Sequence, residues 1–155
     1  VLTDGCIFMN GSGDEIKRFH VRDGLGLKLL QANGVEVALV SGRASDATSR
    51  RALELGIKEV HQGSYDKGVI CRSFIAERGF VKEDVCVVGD DILDLAMFAV
   101  SGLNFAVADA VEEVRKAADV ILDKPGGFGA VRDVCEWILK CKGRWHSIVS
   151  EFSEE

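Results

Sequence analysis

Apolar and polar positions alternate along this chain in short blocks. Compact, mostly β-branched runs of strand length occur at 36–40, 59–61, 85–88, 103–107 and 120–122. Between and after them, 45–55, 65–78, 92–100, 111–117 and 131–140 carry helical spacing, and Gly56 and Gly79 follow two of these segments as helix stops. Earlier in the chain, 6–10 and 15–20 read as two strands around Gly11-Ser12-Gly13-Asp14, a hairpin with a loop longer than two residues. Asp23 is expected to cap a helix running to about Ala32 and ended by Asn33-Gly34. Strand and helix then alternate to the end. The pattern predicts an α/β fold, a doubly wound and mostly parallel sheet with helices on both faces, in one domain over 1–155. The polar tail after Lys142 is expected to be mobile.

The strand at 85–88 is followed by Gly89-Asp90-Asp91-Ile92-Leu93-Asp94. A turn at Gly89 sets three carboxylates at the carboxyl end of a strand expected to be buried on both faces. One Asp there is explained as a helix cap; three within five residues repel one another unless a cation sits among them, and oxygen ligands suit Mg²⁺. The other strand ends are also polar. Ser41-Gly42-Arg43 follows the strand at 36–40, and Asp66-Lys67 follows the one at 59–61. Parallel strands bring their carboxyl ends to one crevice. There Ser41 and the Gly42 amide can donate to phosphate oxygens, Lys67 can neutralise them, and Asp90 can hold the metal.

Composition narrows the partners. Hydrophobic content of 47% with 28% charged residues is globular, and no apolar run has membrane-spanning length, so no membrane partner is expected. A net charge of −6 argues against nucleic acid and means that an anionic substrate needs a local cluster of cations. The five cysteines are scattered without a CxxC pair, which predicts neither disulfides nor zinc, and Cys86 and Cys135 read as small core residues. With no leader ahead of Val1, the expected compartment is the reducing cytoplasm.

Taken together, these residues resemble the haloacid dehalogenase (HAD) superfamily, and within it the capless 3-deoxy-D-manno-octulosonate 8-phosphate (Kdo 8-phosphate) phosphatases. The likeness runs through Val1-Leu2-Thr3-Asp4-Gly5, Phe19-His20-Val21-Arg22-Asp23-Gly24-Leu25-Gly26, Ser41-Gly42-Arg43, Asp66-Lys67, residues 89–94, Ala106-Val107-Ala108-Asp109-Ala110 and residues 126–132. It implies a Mg²⁺-dependent phosphomonoesterase working through an aspartyl-phosphate and releasing Kdo and phosphate for lipopolysaccharide precursor synthesis. On that likeness Ser41 and Lys67 are catalytic, Asp90 is a metal ligand, and Asp91 and Asp94 orient metal-bound water or Lys67. Substrate contacts fall on His20, Val21, Arg22, Asp23, Gly24, Lys28, Gly42, Arg43, Arg51 and Lys67, several of them the cations sought above. The family also implies a homotetramer in which the hairpin, a flap near the N-terminus, borders a neighbour's site.

In the family a DxDG segment directly precedes VLTDG; its first Asp attacks phosphorus and its second is the general acid/base. The sequence starts at Val1, so both carboxylates and the strand carrying them are expected to have been lost ahead of it. The alternatives are a catalytically inactive HAD-like oligomerisation or regulatory domain, and a phosphatase for a sialic-acid-type 9-phosphate. A receiver-type signalling domain is disfavoured by order, because Lys67 precedes Asp90.

Overall fold

The computed structural model describes residues 1–153. Its elements run β1 (Phe8–Met9), β2 (Glu15–Ile16), α1 (Val21–Ala32), β3 (Ala38–Ser41), α2 (Asp46–Leu55), β4 (Glu59–Gln62) and α3 (Lys67–Arg78). A 3-10 turn at Lys82–Asp84 leads to β5 (Cys86–Gly89), and a second at Ile92–Asp94 to α4 (Leu95–Phe98). Then come β6 (Leu103–Ala106), α5 (Glu112–Ala117), β7 (Val120–Ile121), α6 (Ala130–Cys141) and α7 (Trp145–Glu151). The alternation read from the pattern is the alternation found. Gly56 and Gly79 end α2 and α3 in left-handed backbone, φ 72° and 68°, which residues without a Cβ adopt at no steric cost.

The strands form two parallel sheets and a separate antiparallel pair. β3 lies beside β4, β5–β6–β7 form the second sheet in that order, and β1 pairs with β2 over two residues. Val40 of β3 packs into the apolar cluster that Val87 of β5 and Ala106 of β6 build, so the two parallel sheets lie side by side. No hydrogen bond joins them among the described residues. Burial reflects this: all four β3 residues are half-buried, and β5 alternates half-buried Cys86 and Val88 with buried Val87 and Gly89. The strand expected to be buried on both faces has one face buried and the other half-buried. Cys135 is a core residue as expected; Cys86 is only half-buried.

Four further expectations are corrected by packing. The hairpin strands are two residues long rather than five or six, since Phe8, Met9 and Ile16 remain exposed and have no apolar face to lie on. Asp23 does not cap α1, which begins at Val21 after His20; it is 1% exposed, and its Oδ1 accepts from the Arg132 amide (2.8 Å) in the first turn of α6. The segment 92–100 is not one helix, because Asp91 takes the Ile92 amide (2.7 Å) and tightens the first turn to 3-10. Finally, Trp145–Glu151 of the tail after Lys142 forms α7: Ile148 is buried in the core with Leu27 and Leu139, and the Arg132 guanidinium lies 5.2 Å over the Trp145 ring, while 154–155 lie outside the described residues. Among the described residues no helix is long and apolar enough to cross a membrane.

Candidate active site

The centre of the site is a buried ion pair made possible by a glycine. A Cβ on Gly68 would stand 2.9 Å from the Cβ and carbonyl oxygen of Ala96, so only a bare Cα lets the first turn of α3 lie this close to α4. That approach delivers Lys67 to Asp94, with Nζ 2.6 Å from Oδ1 and both side chains enclosed. The other Asp94 oxygen accepts from the Asp90 amide (2.8 Å) and the Asp91 amide (3.2 Å). Asp94 is thus wholly engaged. It fixes the Lys67 ammonium and holds the turn after β5 in one shape.

The three carboxylates of this turn diverge. Asp94 points inward, exposed Asp91 closes the 3-10 turn through one oxygen, and Asp90 is half-buried with its Oδ2 3.1 Å from the Val1 nitrogen. The Asp90 main chain is pinned on both sides, since its carbonyl accepts from the Val111 amide (2.9 Å). Among the described residues no three His, Cys, Asp or Glu side chains converge as a metal cage. Of these three carboxylates, among the described residues, only Asp94 is paired with a side-chain cation; Asp91 gives one oxygen to the Ile92 amide, and Asp90 is bonded by no amide of the turn.

Ser41-Gly42 arrives at the same edge from β3. A Cβ on Gly42 would meet Leu93 at 3.5 Å and Tyr65 at 3.6 Å, so the loop after β3 touches the turn after β5. The Ser41 hydroxyl donates to the Arg43 carbonyl (2.8 Å) and accepts from the Arg43 amide (3.3 Å), closing a tight turn that sends Arg43 outward.

Beyond Arg43 lies a residue that sequence reasoning missed. Glu15 of β2 receives Arg43 Nη2 (2.7 Å) and Nε (3.1 Å) on Oε2, while its Oε1 accepts from the Ser45 hydroxyl (2.6 Å) and faces Lys17 Nζ (3.2 Å). The Ser45 and Arg43 hydrogen bonds pull its carboxyl from an ordinary 4.5 to about 2. Its folded value is the lower one, so this network contributes stability that is complete above 4.5 and lost as the pH falls toward 2. Nothing local marks Glu15, whose partner Arg43 is 28 residues away. Asp109 was missed too, though its place just after β6 on the carboxyl edge was a usable signal. It accepts from the Gly126 amide (2.8 Å), and Gly127 donates to the Val1 carbonyl (2.8 Å), so the 126–129 loop closes over the first residues.

The remaining predicted contacts are dispersed. Val21, Arg22 and Lys28 are exposed on α1, whereas Asp23 is buried beneath α6 and its raised pKa follows from that burial. His20 is half-buried with an enclosed, unpartnered Nδ1. Gly24 is pressed by Arg51, since a Cβ there would stand 2.2 Å from Nη2; Arg51 itself is paired with Glu54 at 2.8 Å. The fold gathers Ser41, Gly42, Lys67, Asp90, Asp91 and Asp94 at one edge, with Arg43 at its rim, and does not bring Lys28 or Arg51 into contact with that group.

Comparison with known proteins places this edge in context. Residues 55–132 match the haloacid dehalogenase-like hydrolase family. The chain is 42% identical over 144 residues to the 3-deoxy-D-manno-octulosonate 8-phosphate phosphatase of Haemophilus influenzae, covering 93% of this chain and 80% of that protein. The crystal structure of the Moraxella catarrhalis enzyme of the same name, in complex with magnesium, phosphate and Kdo, superposes with a TM-score of 0.95 at 38% identity and covers 98% of this chain and 87% of that one. A cobalt-bound structure of the Haemophilus influenzae phosphatase superposes with a TM-score of 0.90 at 42% identity, covering 94% of this chain and 85% of that one. With sequence and fold agreeing over nearly its whole length, the chain belongs to the haloacid dehalogenase-like hydrolases and, within them, to the family of Kdo 8-phosphate phosphatases.

Proposed function

We propose that this protein hydrolyses Kdo 8-phosphate to Kdo and phosphate in a Mg²⁺-dependent reaction through an aspartyl-phosphate, supplying a lipopolysaccharide precursor. The observation that carries the reading is the Lys67–Asp94 pair, 2.6 Å long and buried directly beside Asp90. Asp90 fits a hard cation: it is an oxygen donor on a turn whose main chain is pinned by Asp94 and Val111. When bound there, Mg²⁺ polarises the phosphoryl oxygens and lessens repulsion between anionic nucleophile and anionic substrate. Asp91 and Asp94 hold the turn and Lys67. Lys67 neutralises the phosphoryl group, and Ser41 with the Gly42 amide orients one of its oxygens. Arg43 meets the carboxylate that Kdo 8-phosphate carries besides its phosphate, as guanidinium geometry favours. His20, Val21 and Arg22 would complete the sugar contacts, whereas Gly24 lies under Arg51, and Lys28 and Arg51 stand apart from the edge.

The nucleophile and the acid/base belong, in this reading, to a strand ahead of Val1 that inserts between β3 and β5 within a single domain. Its support is that β3 and β5 each have a partner strand on one edge only among the described residues, and that Val1 packs against both halves of the core. An inactive regulatory domain and a nine-carbon sugar phosphatase are not favoured, since the relatives reported above act on Kdo 8-phosphate and the Lys67–Asp94 pair is intact. The test is phosphate release from Kdo 8-phosphate and from a sialic-acid-type 9-phosphate, with Mg²⁺ or a chelator. It is run on the full-length protein and on the chain starting at Val1. Mg²⁺-dependent release confined to the full-length protein and to Kdo 8-phosphate is expected. A preference for the nine-carbon substrate would overturn the Kdo assignment, and equal activity of the two chains would overturn the strand.

The same reading makes the protein a cytoplasmic homotetramer. All five thiols are free, in keeping with a reducing compartment. The hairpin offers exposed Ile7, Phe8, Met9 and Ile16 as apolar contact surface. Replacing Phe8 and Met9 with Asp is expected to shift the assembly to smaller species in light scattering; an unchanged tetramer mass would reject this interface.

A further inference from the structure

We propose that Glu15 is a positioning residue that presets Arg43 for the substrate carboxylate by welding the β1–β2 hairpin to the loop between β3 and α2. The inference rests on the reading that Arg43 meets that carboxylate. A hairpin paired over two residues per strand does not hold a fixed position by itself. Here both oxygens of one β2 carboxylate are tied to the neighbouring loop. Arg43 donates twice to Oε2, and Ser45, which starts α2 without capping it through its side chain, spends its hydroxyl on Oε1. Lys17, from the same hairpin, lies against Oε1 and reaches Thr48 of α2 at 3.4 Å. The Glu15 charge is thereby matched by two cations, and the rim keeps a net positive charge for an anion. Arg43 is held by one side of its guanidinium only. Its Nη1 makes no hydrogen bond among the described residues, and the side chain remains half-exposed. A long, flexible arginine thus loses its freedom before substrate arrives, which removes an ordering cost from binding. Turnover itself does not pass through Glu15, which has no contact with Lys67, Asp90 or Asp94.

The test is a mutant cycle with Kdo 8-phosphate and, as a phosphomonoester without a carboxylate, p-nitrophenyl phosphate. Arg43→Ala is expected to raise KM for Kdo 8-phosphate about tenfold or more, the loss of one well-aligned charged hydrogen bond. Glu15→Ala should raise it comparably, with kcat little changed and KM for p-nitrophenyl phosphate unmoved. Glu15→Gln, which keeps the side chain's size and an acceptor for Ser45, should fall between. The double variant should be no worse than Arg43→Ala alone. Multiplying effects in the double variant, or an equal rise of KM for both substrates, would make Glu15 a structural residue only and overturn the proposal. An unchanged KM in Arg43→Ala would instead remove the Arg43 reading on which it stands.

Discussion

Lys67→Met is expected to reduce turnover by about 10²- to 10³-fold, the cost of removing one preorganised donor from developing phosphoryl charge. The same change should destabilise the fold. Lys67 and Asp94 are both buried, and removing one partner of such a pair leaves the other charge uncompensated, at about 3–5 kcal/mol. Because Asp94 keeps two amide donors, the lower end of that range is expected. Chemistry and stability can be separated by adding Asp94→Asn. The double variant carries no orphaned charge, so its melting temperature should recover while its phosphate release stays low. Wild-type turnover in Lys67→Met would remove Lys67 from the mechanism.

Asp90→Asn should leave the fold close to intact and raise the Mg²⁺ concentration for half-maximal activity more than about 100-fold, since loss of even an outer partner of a metal ligand costs 10- to 100-fold. The main-chain bonds of residue 90 to Asp94 and Val111 do not involve its carboxylate, so the turn after β5 persists. What disappears is the one carboxylate of the turn that bonds none of its amides. The contrast with Asp91 is informative. That residue caps its own turn through Ile92, and Asp91→Asn keeps an oxygen acceptor there, so its Mg²⁺ titration should move far less. A Mg²⁺ titration shows which carboxylate carries the ion. An unchanged half-saturation in Asp90→Asn would end its assignment as a ligand.

Much of the site was legible because it depends on short-range order. Ser41 ends a strand and Lys67 and Asp90 follow one within a few residues, and parallel strands must present such positions at one edge. Separations of this kind survive small errors in element boundaries. The resemblance gave Asp91 and Asp94 together the task of orienting metal-bound water or Lys67. That Asp94 meets Lys67, with two amides besides, was not legible, since carboxylates this close in the chain give no local sign of which turns inward.

The order of strands and helices, the glycine stops after α2 and α3, and the family were all readable from the residues, because spacing and chirality act over a few residues at a time. Tertiary structure decided which donors each charge meets. Asp23 reaches 109 residues ahead to α6 instead of capping its own helix, Glu15 ties the hairpin to Arg43 and Ser45, and the tail beyond Lys142 docks as α7. In each case a local option existed and lost to a partner brought close by packing of the core. A buried polar group must find its hydrogen bonds wherever the fold places them, and that placement depends on contacts far apart in the chain.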